Sequence, residues 1–322
     1  MSALDLDVDA VAERLVARLG AQVTRDAPAA AVTTYRCGGP FSVLVHVERS
    51  SDLEVIADAL ERAPDLPVAI VGRGSNLLVA DAGFRGIALI LTGEFEQLDI
   101  TTTPDVHVDA GGAVALPVLA RRTAVAGIAG LEFYVGIPGS VGGAVRMNAG
   151  GHGSETKDVL VEATSFDLRS GAARRMAVAD LGLGYRTSVL GRRDIVVGAR
   201  FAGRIDDADA CGRRIEEIVR WRREHQPGGA NAGSVFRNPP GDSAGRLIEA
   251  AGCKGLRVGG VVVSDKHANF FQAEPGARAA DVHALITGVR RRVAEAFDVD
   301  LVPELRMIGF AELDGGHEEA NA

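Results

Sequence analysis

Cysteine is scarce and unpatterned: the chain has three, Cys37, Cys211 and Cys253, far apart and without CxxC spacing. An odd, scattered set excludes a disulfide framework and offers no metal spacing, so reduced thiols and no bound metal are expected. No apolar run reaches the roughly 20 residues of a membrane helix. The start, MSALDLDVDAVAERL, is acidic, unlike a basic-then-apolar export signal. A cytoplasmic protein without membrane insertion is therefore expected. An excess of positive charge is missing as well: 35 basic side chains face 43 acidic ones, a net charge of −8. A general nucleic-acid binder must neutralise phosphates, and this balance argues against one. A local arginine cluster can still hold a small anion. There is no solenoid-type repeat, and the only low-complexity stretch is the short GGHEEANA end, which is expected to fray.

Glycine is what the chain has in abundance: 40 residues, roughly twice the usual share, so tight turns or ligand-hugging backbone are expected. At 322 residues the chain is long enough for two or three domains. Val8, Val11, Leu15, Val16 and Leu19 form a helical stripe that Gly20 stops. Short β-rich runs follow: FSVLVHVE, LPVAIVG, NLLVAD, IALIL and VHVDAGG, with helical SDLEVIADALERA between the first two and LPVLARRTAVAG after the last. A second β-rich block contains DVLVEATSFDLRSG, ARRMAV and DIVVGARF. ADACGRRIEEIVRWRREHQ then reads as one long helix, with its aliphatic positions and Trp221 expected in the core. QPGGANAG follows as a loop and a plausible boundary, and the tail carries helices over SAGRLIEAAG and ARAADVHALITGVRRRVAEAF and a last strand near PELRMIGF. The mixture is α+β and lacks the steady alternation of a doubly wound sheet.

Two glycine-rich stretches stand out. VAIVGRGSNLLVAD places Gly72 and Gly74 after an apolar strand, but Leu77 stands where a dinucleotide fingerprint needs its third glycine, and a strand follows instead of a helix. The Rossmann reading fails. Gly72, Gly74, Ser75 and Asn76 can still turn backbone N–H groups and side chains toward one anion. The second stretch, LEFYVGIPGSVGGAVRMNAGGHGSE, lies in a region with eleven glycines between Gly111 and Gly153. Gly136, Gly139, Gly142 and Gly143 leave a surface on which a flat ligand can lie directly on backbone. Two such loops suggest one long nucleotide ligand spanning both. A formal GxSxG, GDSAG at 241–245, follows two prolines rather than a core strand; Asp242 or Ser243 capping a helix explains it better than a hydrolase elbow.

YRCGG (35–39), GRGSNLLVADAGFRG (72–86), EFYVGIPGSVGGAVRMNAG (132–150), GYRTS (184–188), GSVFRNP (233–239), VSDKHANFF (263–271) and PELRMIGF (303–310) together resemble the UDP-N-acetylenolpyruvoylglucosamine reductase family, in order over most of the chain. The resemblance implies an α+β architecture: a vanillyl-alcohol-oxidase-type FAD-binding domain at 1–205, with lobes near 1–95 and 96–205, and a smaller substrate domain at 206–322 whose segment 300–310 returns to the active site. It implies non-covalent FAD, NADPH as reductant and a UDP-sugar as substrate, in peptidoglycan synthesis, with a monomer as the expected state. Arg186 and Ser234 lie 48 positions apart, which resembles the family's shorter subtype, without an inserted substrate-covering loop. An oxidase of the same fold and a nucleotide-binding module without turnover are the competing readings; a yellow protein that consumes NADPH only with the enolpyruvyl sugar separates them.

By the same resemblance, FAD contacts fall on Arg36, on Gly72, Arg73, Gly74, Ser75, Asn76 and Leu77, on Ile137, Pro138, Gly139, Ser140 and Gly143, and on Asn148. Hydride passes from reduced FAD N5 to the terminal carbon of the enolpyruvyl ether, and Ser234 is the general acid for the strongly basic enolate that results. An alcohol stays neutral beside an anionic substrate. Arg186 is a forked cation for the carboxylate. Glu304, after a proline and entering an apolar strand, is expected to be buried with a raised pKa, donating to the enolate or orienting its partner. Tyr185, Arg237, Asn238 and Asn269 are the substrate-contact candidates. Arg237 stands where the family usually has lysine, and GGHGSE replaces the commoner GAYGSE-like text, leaving His152 without an assigned role. Lys266 and His267 are expected to cap a turn.

Overall fold

The computed structural model describes residues 3–310; the GGHEEANA end lies outside them. Helix α1 (Ala3–Leu19) buries Val8, Val11, Leu15 and Leu19 of its stripe, while Val16 is left exposed. Strands β1 (Val23–Pro28) and β2 (Pro40–Val47) are followed by α2 (Ser50–Glu61), β3 (Val68–Ile70), β4 (Leu77–Val79) and β5 (Phe84–Leu91). Four of these strands form a sheet in the order β1-β2-β5-β3, antiparallel at β1 and parallel elsewhere. β2 is an almost unbroken apolar run because both its faces are covered. Val43, Val45 and Val47 pack with α1 and α2, while Phe41 and Leu44 pack on the opposite face with Val71 and Leu77.

The second lobe begins with β6 (Leu98–Thr101), β7 (His107–Gly111), α3 (Leu116–Val125) and β8 (Ile128–Ala129). It continues through α4 (Val141–Met147), the tiny hairpin β9 (Gly150–Gly151) and β10 (Ser154–Glu155), and α5 (Thr156–Val159). Then come β11 (Leu160–Asp167), β12 (Ala172–Ala177), β13 (Asp194–Ala202) and β14 (Arg204–Ile205). Its antiparallel sheet runs β12-β11-β13-β7-β6. Helix α6 (Ala208–His225) closes this lobe: Cys211 and Ile215 are buried in its core, and Arg214 reaches Glu132 at 2.8 Å. A boundary at 206, as expected from the resemblance, would cut this helix from the core it packs on. The packing argues for the loop at 226–233. Trp221, expected inside, is 43% exposed and stacks on His225 with ring centroids 4.6 Å apart.

The third unit holds α7 (Ala244–Ala250), β15 (Arg257–Val258), β16 (Val261–Val263), β17 (Phe271–Ala273), α8 (Ala279–Phe297) and β18 (Arg306–Ile308). Val282, Leu285, Ile286, Val289 and Val293 put the apolar stripe of α8 into its core. Two devices fasten this unit to the first lobe. Asp81 accepts from the first two amides of α8, Ala279 at 2.9 Å and Ala280 at 3.0 Å, where a carboxylate also meets the positive end of the helix. Strand β18 leaves its own unit to pair in parallel with β4, Arg306 opposite Leu77 and Ile308 opposite Val79. The three cysteines are all buried and free.

Candidate functional site

The two glycine loops meet across a cavity of about 150 Å³ between the lobes. Ile70, Val71, Ile90, Leu91 and Val196 form its apolar walls; Gly72, Arg73, Ser140, Gly142, Gly143 and Arg146 supply backbone and polar groups. The loops come so close that a Cβ on Gly72 would stand 2.6 Å from Ser140 Oγ. Gly74 has φ +61° and an added Cβ would lie 2.0 Å from the Val32 carbonyl oxygen, so position 74 is closed to other residues twice over. Beside it, Thr33 Oγ1 is buried without a partner among the described residues. Apolar walls for a flat ring, bare backbone and an orphaned hydroxyl fit the isoalloxazine and phosphates of FAD. The second loop is not loop throughout. Ser140 caps α4, its Oγ accepting from Gly143 N at 3.4 Å, and Val141, Ala144 and Val145 are buried beneath.

Ser234 and Glu304 are held by one short antiparallel junction. Glu304 N donates to Val235 O at 2.8 Å, Arg237 N to Val302 O at 2.9 Å, and Phe236 faces Pro303. Arg186, in the left-handed region at φ +57°, sends its Nε to Glu304 Oε1 at 2.5 Å. Both side chains are mostly shielded, at 20% and 14% exposure. Burial pushes the Glu304 carboxyl above its usual range, and the cations Arg186 and Arg237 pull it back. Arg237 Nη2 lies 3.5 Å from Arg186 O, and its Nε is buried and unpaired among the described residues. Tyr185 is half exposed beneath the Arg186 guanidinium, and its hydroxyl accepts from Asn238 N at 3.3 Å. Ser234, Arg186, Glu304, Tyr185, Arg237 and Asn238 therefore converge from the second and third units.

Asn269, a substrate-contact candidate, is engaged within the protein. It is buried, its Oδ1 accepts from Phe236 N at 2.9 Å and its Nδ2 donates to Phe236 O at 2.8 Å, so the side chain is spent on holding the Ser234 segment. Asn148 is spent likewise: Nδ2 donates to Glu155 Oε2 at 2.8 Å and Gly184 O at 3.0 Å, and Oδ1 accepts from Lys157 N at 2.9 Å. Its amide ties the glycine-rich region to the loop that carries Arg186. Asn76 Nδ2 reaches Glu304 O at 3.1 Å and Asn76 O accepts from Arg306 N at 3.1 Å, linking the first glycine loop to the Glu304 segment. The Leu77 side chain is buried in the first lobe, so only its backbone is available to a cofactor. Arg36 is exposed at φ +56°. His152 lies at φ +54° with its ring against Trp221, centroids 5.0 Å apart. His267 Nδ1 accepts from Asn269 N at 3.2 Å within its turn, and Lys266 reaches Arg223 O. Ser243 caps α7 by accepting from Arg246 N at 3.3 Å, which accounts for GDSAG. Arg146 and the walls Ile70, Ile90 and Val196 carried no legible signal, because nothing short-range marks residues that converge only in three dimensions.

Comparison with known proteins decides the family. A model described as the C-terminal domain of UDP-N-acetylenolpyruvoylglucosamine reductase matches residues 225–308, and an FAD-binding domain matches 41–177. The reductase of Paramagnetospirillum magneticum is 42% identical over 92% of this chain and 94% of its own length. That of Acidiphilium cryptum is 45% identical over 88% of this chain and 90% of its own. The chain belongs to the UDP-N-acetylenolpyruvoylglucosamine reductase family. The crystal structure of the Thermus caldophilus reductase superposes with a TM-score of 0.76 at 38% identity, covering 87% of this chain and 97% of that one. The family reaction is flavin-dependent reduction of the enolpyruvyl ether of a UDP-sugar in peptidoglycan synthesis, and the chain is an FAD-dependent oxidoreductase of this kind. No helix among the described residues is long and apolar enough to cross a membrane.

Proposed function

We propose that the junction of residues 234–237 with 302–304 is the reductive centre for UDP-N-acetyl-3-O-(1-carboxyvinyl)-glucosamine, with NADPH as electron source. When bound, FAD supplies the hydride that reaches the terminal vinyl carbon. Ser234 donates the proton that the neighbouring carbon then takes. Arg186 holds the substrate carboxylate, where charge builds as the enolate forms, and its fork stabilises two oxygens at once. Glu304 orients Arg186 and, once protonated, adds a donor. Arg237, with its unpaired buried Nε, and Asn238 with Tyr185 form the wall that receives the UDP diphosphate. The single observation that carries this reading is the shielded Arg186–Glu304 contact at 2.5 Å beside the Ser234 segment. A monomer acting in the cytoplasm on this small nucleotide, with no nucleic-acid partner, completes the proposal; the net charge of −8 supports the last point.

The test separates the two half-reactions. In Ser234→Ala, NADPH should reduce the bound flavin at the parent rate, while reoxidation by the enolpyruvyl sugar nucleotide should fall by a factor of about a hundred or more, the scale of a lost general acid. Equal loss in both halves would remove Ser234 from the proton step.

A further inference from the structure

Arg306 carries a charge that no carboxylate neutralises among the described residues. It sits two residues past Glu304, yet Glu304 answers to Arg186 and Arg237. In the parallel pairing of β18 with β4, Met307 and Leu78 pack into the third unit, whereas Ile308, Leu77 and Val79 pack into the first lobe. Arg306 alternates with Met307 and so shares the face of Ile308, toward the first lobe and the cavity walls Val71 and Ile90. The charges that act on it are also cations. Arg146, which lines the cavity, and Arg192 add to burial in pushing its pKa down to about 10. Arg146 itself spends one Nη on a neutral oxygen, Gly191 O at 2.8 Å. Asp194 on the same wall is already engaged by Arg174 at 2.9 Å and by Gly191 N at 2.6 Å. Asp194 offsets part of the cost of the Arg146 charge, but no carboxylate acts on Arg306 among the described residues, so its shielded charge costs folding free energy unless an anion comes to it.

We propose that Arg306, together with Arg146, stabilises the negative charge that two-electron reduction leaves on the isoalloxazine ring. The proposal rests on the FAD reading of the cavity, and it assigns these residues to the ring rather than to the diphosphate. Two features favour the ring: Arg306 is joined through Asn76 to the Glu304 segment, where the proposed function puts hydride transfer, and the cavity that Arg146 lines has Ile70, Val71, Ile90, Leu91 and Val196 as apolar walls for a flat ring. A protein tunes a cofactor by placing charge against its reactive ring, and a desolvated cation there acts strongly because water does not screen it.

The experiment needs neither NADPH nor sugar nucleotide, so its failure is distinct from failure of the proposed substrate or proton donor. The midpoint potential of bound FAD is measured by photoreduction against a reference dye in the parent, Arg306→Gln, Arg306→Lys and Arg146→Gln, together with the affinity for oxidised FAD from flavin fluorescence. In Arg306→Gln, oxidised FAD should bind as in the parent while the reduced form is at least tenfold destabilised, a drop of about 30 mV for the two-electron couple. Arg146→Gln should shift the potential in the same direction, and Arg306→Lys should restore most of it. An unchanged potential in both glutamine variants overturns the proposal. So does equal weakening of oxidised and reduced FAD, which would give the arginines to the diphosphate.

Discussion

Asn269 holds Phe236 by both of its backbone atoms, accepting from the N–H at 2.9 Å and donating to the carbonyl at 2.8 Å. The carbonyl of Val235, between Ser234 and Phe236, accepts from Glu304 N. A buried amide outside the chemistry thus sets where the proposed acid stands relative to its neighbour. Asn269→Ala leaves a buried donor and acceptor unpaired, an expected cost on the order of 1–3 kcal/mol in denaturant unfolding. A shift of Ser234 by even about 1 Å should slow reoxidation by substrate up to about a hundredfold. Flavin reduction by NADPH should hardly change. Asn269→Asp keeps the acceptor but turns an oxygen toward the Phe236 carbonyl, so it should fare no better. Reoxidation at the parent rate in a folded Asn269→Ala would refute the positioning role.

The glycines of the first loop make unequal demands. At Gly74 an added Cβ meets backbone, the Val32 oxygen at 2.0 Å, in a conformation that disfavours L side chains by about 1–2 kcal/mol. Gly74→Ala should therefore unfold at lower denaturant and purify with little yellow colour. At Gly72 the obstacle is the Ser140 hydroxyl, which a second substitution removes. Gly72→Ala should weaken FAD binding, and Gly72→Ala with Ser140→Ala should recover more than the two single effects predict, as contacting sites do. Simple additivity would mean that the loops do not meet in solution as they do here.

Glu304 should be a proton acceptor when substrate arrives. Burial raises its pKa above 4.5 and Arg186 pulls it down. A substrate carboxylate draws on the same guanidinium and adds negative charge nearby, so both changes raise the pKa further and a proton is taken up. In weak buffer with an indicator dye, binding of the enolpyruvyl sugar nucleotide to oxidised enzyme should consume protons; Glu304→Gln should abolish the uptake. Because the folded pKa is raised, the stability tied to Glu304 is complete below about 4.5 and is lost as pH rises through the folded value. Glu304→Gln should flatten the stability profile above that point. Uptake that persists in the variant would place the titrating group elsewhere.

The motifs that could be read were those whose chemistry is local. GRGSN, GSVFRNP and PELRMIGF marked their residues because glycine, serine and proline impose backbone states on short segments. Most helices followed their apolar stripes. Strand β1 escaped notice because VTRDAP carries charge and proline at a sheet edge, where pairing tolerates both. Helix α4 was hidden because glycine disfavours helix; buried Val141, Ala144 and Val145 override that preference. The roles of Asn269, Asn148 and Arg306 depend on partners 33, 36 and over 100 positions away, and no pattern within a window encodes them. Trp221 lies near the apolar stripe of α6, but the helix docks through Cys211 and Ile215 and leaves the indole outside.

That exposed indole offers a direct readout, since Trp221 is the only tryptophan of the chain. His152 meets it edge to face at 5.0 Å. Partial burial, and then the nearby Arg222 charge, lower the His152 pKa from its usual value and favour the uncharged imidazole. As pH falls through that lowered value, an imidazolium forms beside the indole and should quench its fluorescence. The stability contributed by neutral His152 is present above 6.5 and is lost over the same fall in pH. A pH titration of emission should show a quenching step centred below 6.5 that is absent in His152→Ala, whose acid unfolding should begin at slightly lower pH. His225 also stacks on the indole and remains in that variant, so the difference between the two titrations is what reports His152. An identical titration in the variant would mean that the ring of His152 does not rest on Trp221 in solution.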